Sequence, residues 1–400
     1  MKIDAYSVLV ILSVMVVISY FYNYLAGRIK IPSVLLLIGS GIGLKFASDI
    51  FGLRIPSTQT LLEILGVTGL IFIVLEASLD LQIQRSKLQL IARAFISAIV
   101  LLALTSVSIA LIFSEYYDAD FNQALIHAIP LSVISSAIAI PSVSNMTEEK
   151  REFVVYESTF SDVLGIIAFN YFITQHTSGF EAVATFGWDL VLIIIISVVS
   201  TIALVFLLNH ATTHVRFFLT FSIIILTYSL AKFLHLPSLI LVLCFGLVLS
   251  NFKLFDYPLV HRFLSVEKLK DVTKELKLMT AETAFIIRTF FFLLFGYSIN
   301  VSLLQSDEVI LTGIAIIGIT LLLRLIFLRY LLKVRSTPLA LIAPRGLITI
   351  LLFYSIPADQ QMTQLSEGVL FIVIVLTSLL MTIGLLMNKK QPSEKIEDLI

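Results

Sequence analysis

The sequence predicts an all-α polytopic membrane protein of thirteen transmembrane helices, arranged as an inverted-topology repeat with two interrupted helices that cross. Three observations predict it. Of 400 residues, 58% are apolar and only 14% charged, with a mean hydropathy of +1.01. Apolar runs long enough for a bilayer, about 20 residues each, recur from end to end. Weak internal repeats relate the two halves. A β-barrel is excluded, because its membrane strands are shorter and alternate in polarity. The lone Cys244 cannot form an intrachain disulfide and lies in an apolar run, so redox chemistry is not indicated. Nucleic acid is not a plausible partner for a chain with zero net charge and this hydropathy.

In order, the spans read approximately as 5–26, 31–48, 60–80, 88–113, 121–144, 152–174, 186–209, 214–233, 236–252, 281–300, 307–333, 337–356 and 366–388. The first carries Asp4 and no small-residue cleavage pattern follows it, so it reads as retained rather than as a signal peptide. Orientation follows from lysine and arginine. One set of connections holds Arg28, Lys30, Arg85, Lys87, Lys150, Arg151, Arg216, Lys333 and Arg335. It also holds the basic stretch 253–277 and the tail lysines Lys389, Lys390 and Lys395. The other set holds Lys2, Lys45, Arg54 and Lys232, with acids at Glu115, Asp118, Asp120, Asp307, Glu308 and Asp359. The basic set is expected in the cytoplasm, which puts the N-terminus outside and the C-terminus inside, as thirteen crossings require.

The chain divides into residues 1–252, which carry the first repeat (about 31–174) and the start of the second, a linker 253–280, the rest of the second repeat at 281–388, and a short polar tail, 389–400. In the linker Val260, Phe263, Leu264, Leu269, Val272, Leu276 and Met279 recur at helical spacing among four lysines. That pattern suits an amphipathic helix on the cytoplasmic membrane surface. A solvated linker helix reads equally well.

Three segment pairs carry the repeat: 31–44 with 236–249, 71–80 with 291–300, and 130–139 with 338–347. They match spans two and nine, three and ten, and five and twelve. Each pair is seven crossings apart, an odd number, so partners run in opposite directions, as in many secondary transporters. Span five contains Ser135, Ser136 and Pro141, and span twelve contains Pro344, Arg345 and Gly346. Proline and glycine break a helix there, and the freed backbone groups need a protein or water lining.

Chemistry concentrates in Glu157-Ser158-Thr159-Phe160-Ser161-Asp162 of span six. A charge at the bilayer centre costs about 2.5–3.5 kcal/mol even on the lower scales, so intramembrane acids usually line an ion path. A purely structural ion pair is the other reading. Glu157 and Ser161 share a helix face, while Asp162 neighbours Ser158 and Thr159 on another. Such a cluster of oxygens suits a hard cation. Arg288, Arg324 and Arg345 are also intramembrane; the deeper two, Arg324 and Arg345, need acidic partners, and Glu157 is the natural candidate for one of them. If Glu157 is neutralised that way, Asp162 remains as the one titratable charge. Burial disfavours its charged form, and a proton and a monovalent cation then compete for one carboxylate. No cofactor is indicated, and no nucleophile–base motif, phosphate loop or cluster of His and Cys metal ligands is present.

The Glu157–Asp162 segment resembles the Glu-x-x-x-Asn-Asp signature of the monovalent cation/proton antiporters, nearest the NhaP-type sodium/proton exchangers. Ala343-Pro-Arg345-Gly346 resembles their Arg-Gly segment. Phe290 to Gly296 resembles their phenylalanine-rich helix, and Ile31-Pro32 through Gly43 their Pro-initiated second helix. The resemblance implies a homodimer of thirteen-helix protomers, with a core domain moving against a dimerisation domain. It implies that Asp162 carries the ion or the proton and that Arg324 pairs with Glu157. Ser161 replaces the signature asparagine, which in the family accompanies one-for-one exchange. The Thr-Asp-Pro of the family's interrupted fifth helix is absent, and Ser135-Ser136-Ala137 is closer to the Kef-type potassium/proton branch.

The resulting expectation is an electroneutral antiporter, not an enzyme, in a bacterial inner membrane, exchanging Na+ or Li+ for H+. Asp162 binds the cation, with Ser158, Thr159, Ser161 and the backbone carbonyls of Ser135, Ser136 and Ala137 completing the shell. A Kef-like K+/H+ exchanger and a transport-inactive sensor or membrane subunit are the alternatives.

Overall fold

A computed structural model of the chain describes residues 5–29, 31–51, 58–81, 85–143, 146–174, 187–188, 191–200, 202–203, 216–233, 238–251, 266–332, 337–362 and 364–387. The tail 389–400 and the first part of the linker, 253–265, lie outside the described residues. Every regular element among those described is helical. They are α1 (Ala5–Ile29), α2 (Ser33–Phe51), α3 (Thr58–Asp80), α4 (Leu88–Tyr117), α5 (Phe121–Ser132), α6 (Ser136–Ser142) and α7 (Glu148–Thr174). Then follow α8 (Val191–Ser200), α9 (Arg216–Phe233), α10 (Ser238–Ser250), α11 (Val266–Ser298), α12 (Asp307–Ile326), α13 (Thr337–Leu341), α14 (Leu347–Tyr354) and α15 (Glu367–Met387). Each of the thirteen expected spans contains a helix. Among the described residues, α2, α4, α11, α12, α15 and the broken pair α5–α6 taken together are each long and apolar enough to cross a membrane.

The main departure is α11. The sequence suggested a surface helix followed by a separate span from 281. Instead Val266–Ser298 is one helix of 33 residues. Lysines and glutamates lower the hydropathy of its first half, but they are good helix formers and do not interrupt the backbone ladder. α12 ends in a π-helical turn at Phe327–Leu331.

Contacts group the chain into two units: Met1–Val67, Leu90–Gly165 and Ile286–Ile400 form the first, Thr68–Gln89 and Ile166–Phe285 the second. Within the second, α9 packs along α10, and Phe72 meets Phe221 edge-on at 4.4 Å between ring centroids. Asn251 donates to the Leu81 carbonyl at 2.8 Å, closing the end of α3. Lys277 pairs with Asp80 at 2.7 Å. These bonds satisfy polar groups at helix ends, where intrahelical partners run out.

The first unit holds the broken helices. α12 and α13 pack on α15, and α14 lies along α5. Asp120 caps α5 by accepting the Asn122 N–H at 3.0 Å. His127 ties the same helix to the connection after α14, with Nδ1 on the Gln123 carbonyl at 2.9 Å and Nε2 accepting the Met362 N–H at 3.1 Å. The first chain break runs through Val133 and Ser135, both extended. The second occupies residues 342–346, where Pro344 has no N–H to continue a helix. The breaks meet: the Ser135 N–H donates to the Pro344 carbonyl at 2.8 Å.

Two glycines permit this approach. A Cβ on Gly346 would lie 2.7 Å from Ser135 Oγ and 2.6 Å from Ile138 Cδ1. On Gly165 of α7 it would overlap the Val133 side chain. Gly346→Ala is therefore expected to cost about 1–3 kcal/mol of stability, the usual range for overpacking, measurable as a lower thermal midpoint of the detergent-solubilised protein.

Candidate functional site

α7 presents its polar segment to the first break and reaches the second through Arg324. Glu157, Ser158, Thr159, Ser161 and Asp162 are each no more than 1% exposed. Their roles separate by face, as the helical spacing predicts. Glu157 faces α12 and forms a two-pronged pair with Arg324: Nη1 donates to Oε1 at 2.9 Å and Nη2 to Oε2 at 2.6 Å. Ser97 of α4 donates to the same Oε1 at 2.5 Å. Arg324 Nη2 also reaches the Ile342 carbonyl of the second break at 3.2 Å. The pair therefore joins α4, α7, α12 and the break, and its planar fork matches the carboxylate edge.

Ser161, one turn on, accepts the Ile134 N–H at 2.9 Å. It satisfies a backbone donor that the break sets free. Asp162 does the same two residues further on: Oδ2 accepts the Ser136 N–H at 3.1 Å. Its Oδ1 is buried without a hydrogen-bond partner, and so is Ser135 Oγ on the adjoining residue. A buried unpaired carboxylate oxygen is costly unless a proton or a cation neutralises it.

Ser158 and Thr159 send their hydroxyl protons back along the helix, to the Val154 and Val155 carbonyls, both at 2.7 Å. A hydroxyl that donates this way keeps its lone pairs, and both oxygens stay available as ligands. Arg345 makes no bond to a carboxylate among the described residues. Its Nε donates to the Leu131 carbonyl at 2.7 Å, its Nη1 to the Ala343 carbonyl at 3.4 Å, and its backbone N–H to Thr377 at 3.0 Å. Arg288 is half-buried, with Nη1 at 3.5 Å from the Ala137 carbonyl. The structure thus brings Glu157 to Arg324 and Asp162 to Ser136, and places Arg345 in the frame of the breaks. Sequence reasoning missed Ser97 and Thr377, because a single hydroxyl in an apolar helix carries no pattern.

No group of three or more His, Cys, Asp or Glu side chains suited to a metal ion occurs among the described residues. Apart from its own carboxylate, Asp162 has the Ser136 backbone N–H in hydrogen-bonding range, with the unpartnered Ser135 hydroxyl on the preceding residue.

The sodium/hydrogen exchanger transmembrane family model matches residues 11–389. No curated protein sequence matches the chain. Among solved structures, the sodium proton antiporter MjNhaP1 from Methanocaldococcus jannaschii at pH 8 superposes with a TM-score of 0.70 at 18% identity, covering 96% of this chain and 99% of that one. An electron-microscopy map of the same antiporter gives a TM-score of 0.65 at 18% identity, covering 98% and 100%. That likeness carries the fold, and the family match spans nearly all of the sequence. The chain belongs to the sodium/hydrogen exchanger family, the multi-pass membrane proteins that exchange a cation for protons.

Proposed function

We propose that this protein exchanges Na+ or Li+ for H+ one for one, with Asp162 as the shared site. The observation that carries the reading is the buried, unpartnered Oδ1 of Asp162, on a carboxylate whose other oxygen is already held by the Ser136 N–H. When Asp162 is protonated, Oδ1 carries the proton. When it is not, a dehydrated cation replaces the proton on that oxygen. Ser135, Ser158 and Thr159 hydroxyl oxygens and carbonyls of the first break complete the shell, with Ser161 and Ser136 setting its geometry. One carboxylate exchanging one proton for one monovalent cation moves no net charge. Glu157 takes no part in the exchange, because Arg324 neutralises it.

The site opens alternately to the two sides of the membrane, and the existing gradient of one ion drives the other. The protein works as a homodimer in a bacterial inner membrane, with its N-terminus outside and its C-terminus in the cytoplasm, as the lysine and arginine bias indicates. A K+/H+ exchanger of Kef-like type is the second reading. It is favoured by Ser135-Ser136-Ala137, where the sodium exchangers carry an acid.

The test uses the full chain in proteoliposomes holding an imposed pH gradient and a pH-sensitive dye. Sodium, lithium and potassium are added in turn. Collapse of the gradient by sodium or lithium, unchanged by a membrane potential, is the expected result. A response to potassium alone would move the assignment to the second reading. No response to any cation in folded, inserted protein would favour a sensor or subunit.

A further inference from the structure

A small cavity lies on the Glu157–Ser161 side of α7, away from Asp162. Its polar lining is Thr105 of α4, Ser132 of α5, Ser161 of α7, Thr320 and Arg324 of α12, and Arg345 of the second break. It has room for about one water-sized occupant. Two of its lining groups are buried without a partner: Thr320 Oγ1 and Arg324 Nε. Both can donate. Ser161 accepts the Ile134 N–H, which leaves its own proton to give. Ser132, by contrast, already donates to the Ala128 carbonyl at 2.9 Å. The lining therefore offers three uncommitted donors, Thr320 Oγ1, Arg324 Nε and the Ser161 hydroxyl, beside two guanidinium groups.

Charge points the same way. Arg324 is cancelled by Glu157. Arg345 is 2% exposed and, among the described residues, bonds to backbone carbonyls and, through its N–H, to a threonine. Carbonyl dipoles solvate a buried cation but leave its charge in place. While Asp162 is ionised, the four groups sum to zero. Once Asp162 takes up a proton or a cation, these four groups are left with one positive charge, to which half-buried Arg288 beside the first break adds. We propose that the cavity binds one small monovalent anion of the halide class, held by Thr320 Oγ1, Arg324 Nε, the Ser161 hydroxyl and the field of Arg345. Its occupancy rises when Asp162 is neutral. The site stands apart from the exchange reaction, since it rests on the cavity and its donors and survives if no cation is transported.

The experiment compares thermal unfolding of the purified full chain in sodium chloride, sodium bromide and sodium gluconate, at one pH and equal ionic strength. Halides are expected to raise the midpoint by a few degrees and to saturate, because a ligand that binds only the folded state stabilises it by mass action. Thr320→Val is expected to abolish that rise. Asp162→Asn is expected to shift half-saturation to lower halide concentration. Crystals of the wild-type protein grown in bromide are expected to show an anomalous peak in the cavity, and this decides the matter even if Thr320→Val fails to fold. Identical unfolding in gluconate and halide, or a cavity holding water with no bromide signal, would overturn the proposal. An unchanged half-saturation in Asp162→Asn would overturn the charge coupling.

Discussion

Glu157→Ala is expected to cost about 3–5 kcal/mol of stability, the usual penalty for orphaning one member of a buried ion pair. Arg324 would lose both of its charged bonds, at 2.6 and 2.9 Å, and keep only backbone carbonyls. Ser97 would lose its acceptor as well. A double replacement, Glu157→Leu with Arg324→Met, is expected to recover most of the loss, because two apolar side chains of similar size remove both charges together. Chemical or thermal unfolding in detergent, on Glu157→Leu, Arg324→Met and the double, measures the cycle. If Glu157→Ala unfolds like the wild type, the pair does not hold these helices, and Glu157 is free to serve as an ion ligand.

Asp162→Asn is expected to abolish exchange while leaving the protein folded. Asparagine is the same size and its carbonyl oxygen can still accept the Ser136 N–H, now 3.1 Å away. The break keeps its partner. What is lost is the negative charge that attracts a cation and takes up a proton. An unpaired buried carboxylate has a large desolvation cost, so the variant is expected to melt no lower than the wild type. The same proteoliposome assay, run beside a melting curve, separates the two effects. Cation-driven proton movement that survives in Asp162→Asn would move the site elsewhere in the core.

The hydropathy pattern was enough to find the spans, because each helix must cover about 30 Å of hydrocarbon with apolar side chains. Proline and glycine marked the neighbourhood of both breaks. Their facing geometry could not be read from spacing, since it depends on contacts such as Ser135 with Pro344, 209 residues apart in sequence. α11 shows the converse limit. Its charged first half hid a continuous helix, because hydropathy reports what suits lipid and says little about where the backbone stops. At the site, spacing alone separated Glu157 from Asp162 correctly by face. It left open which arginine meets Glu157, and only the resemblance to known antiporters pointed to Arg324. The role of Arg345 was not legible at all: its partners are carbonyls, and every residue has one.

The bond between Ser135 and Pro344 is made by main-chain atoms alone. Swapping one side chain for another at either position leaves it in place, so an alanine scan would pass over the joint between the two broken helices without registering it. Of the natural substitutions, only proline at 135 takes the donor away. The polar side chains carried on the breaks are thereby released from architectural duty. Small side chains at these positions can therefore change without rebuilding the joint that holds the two breaks together.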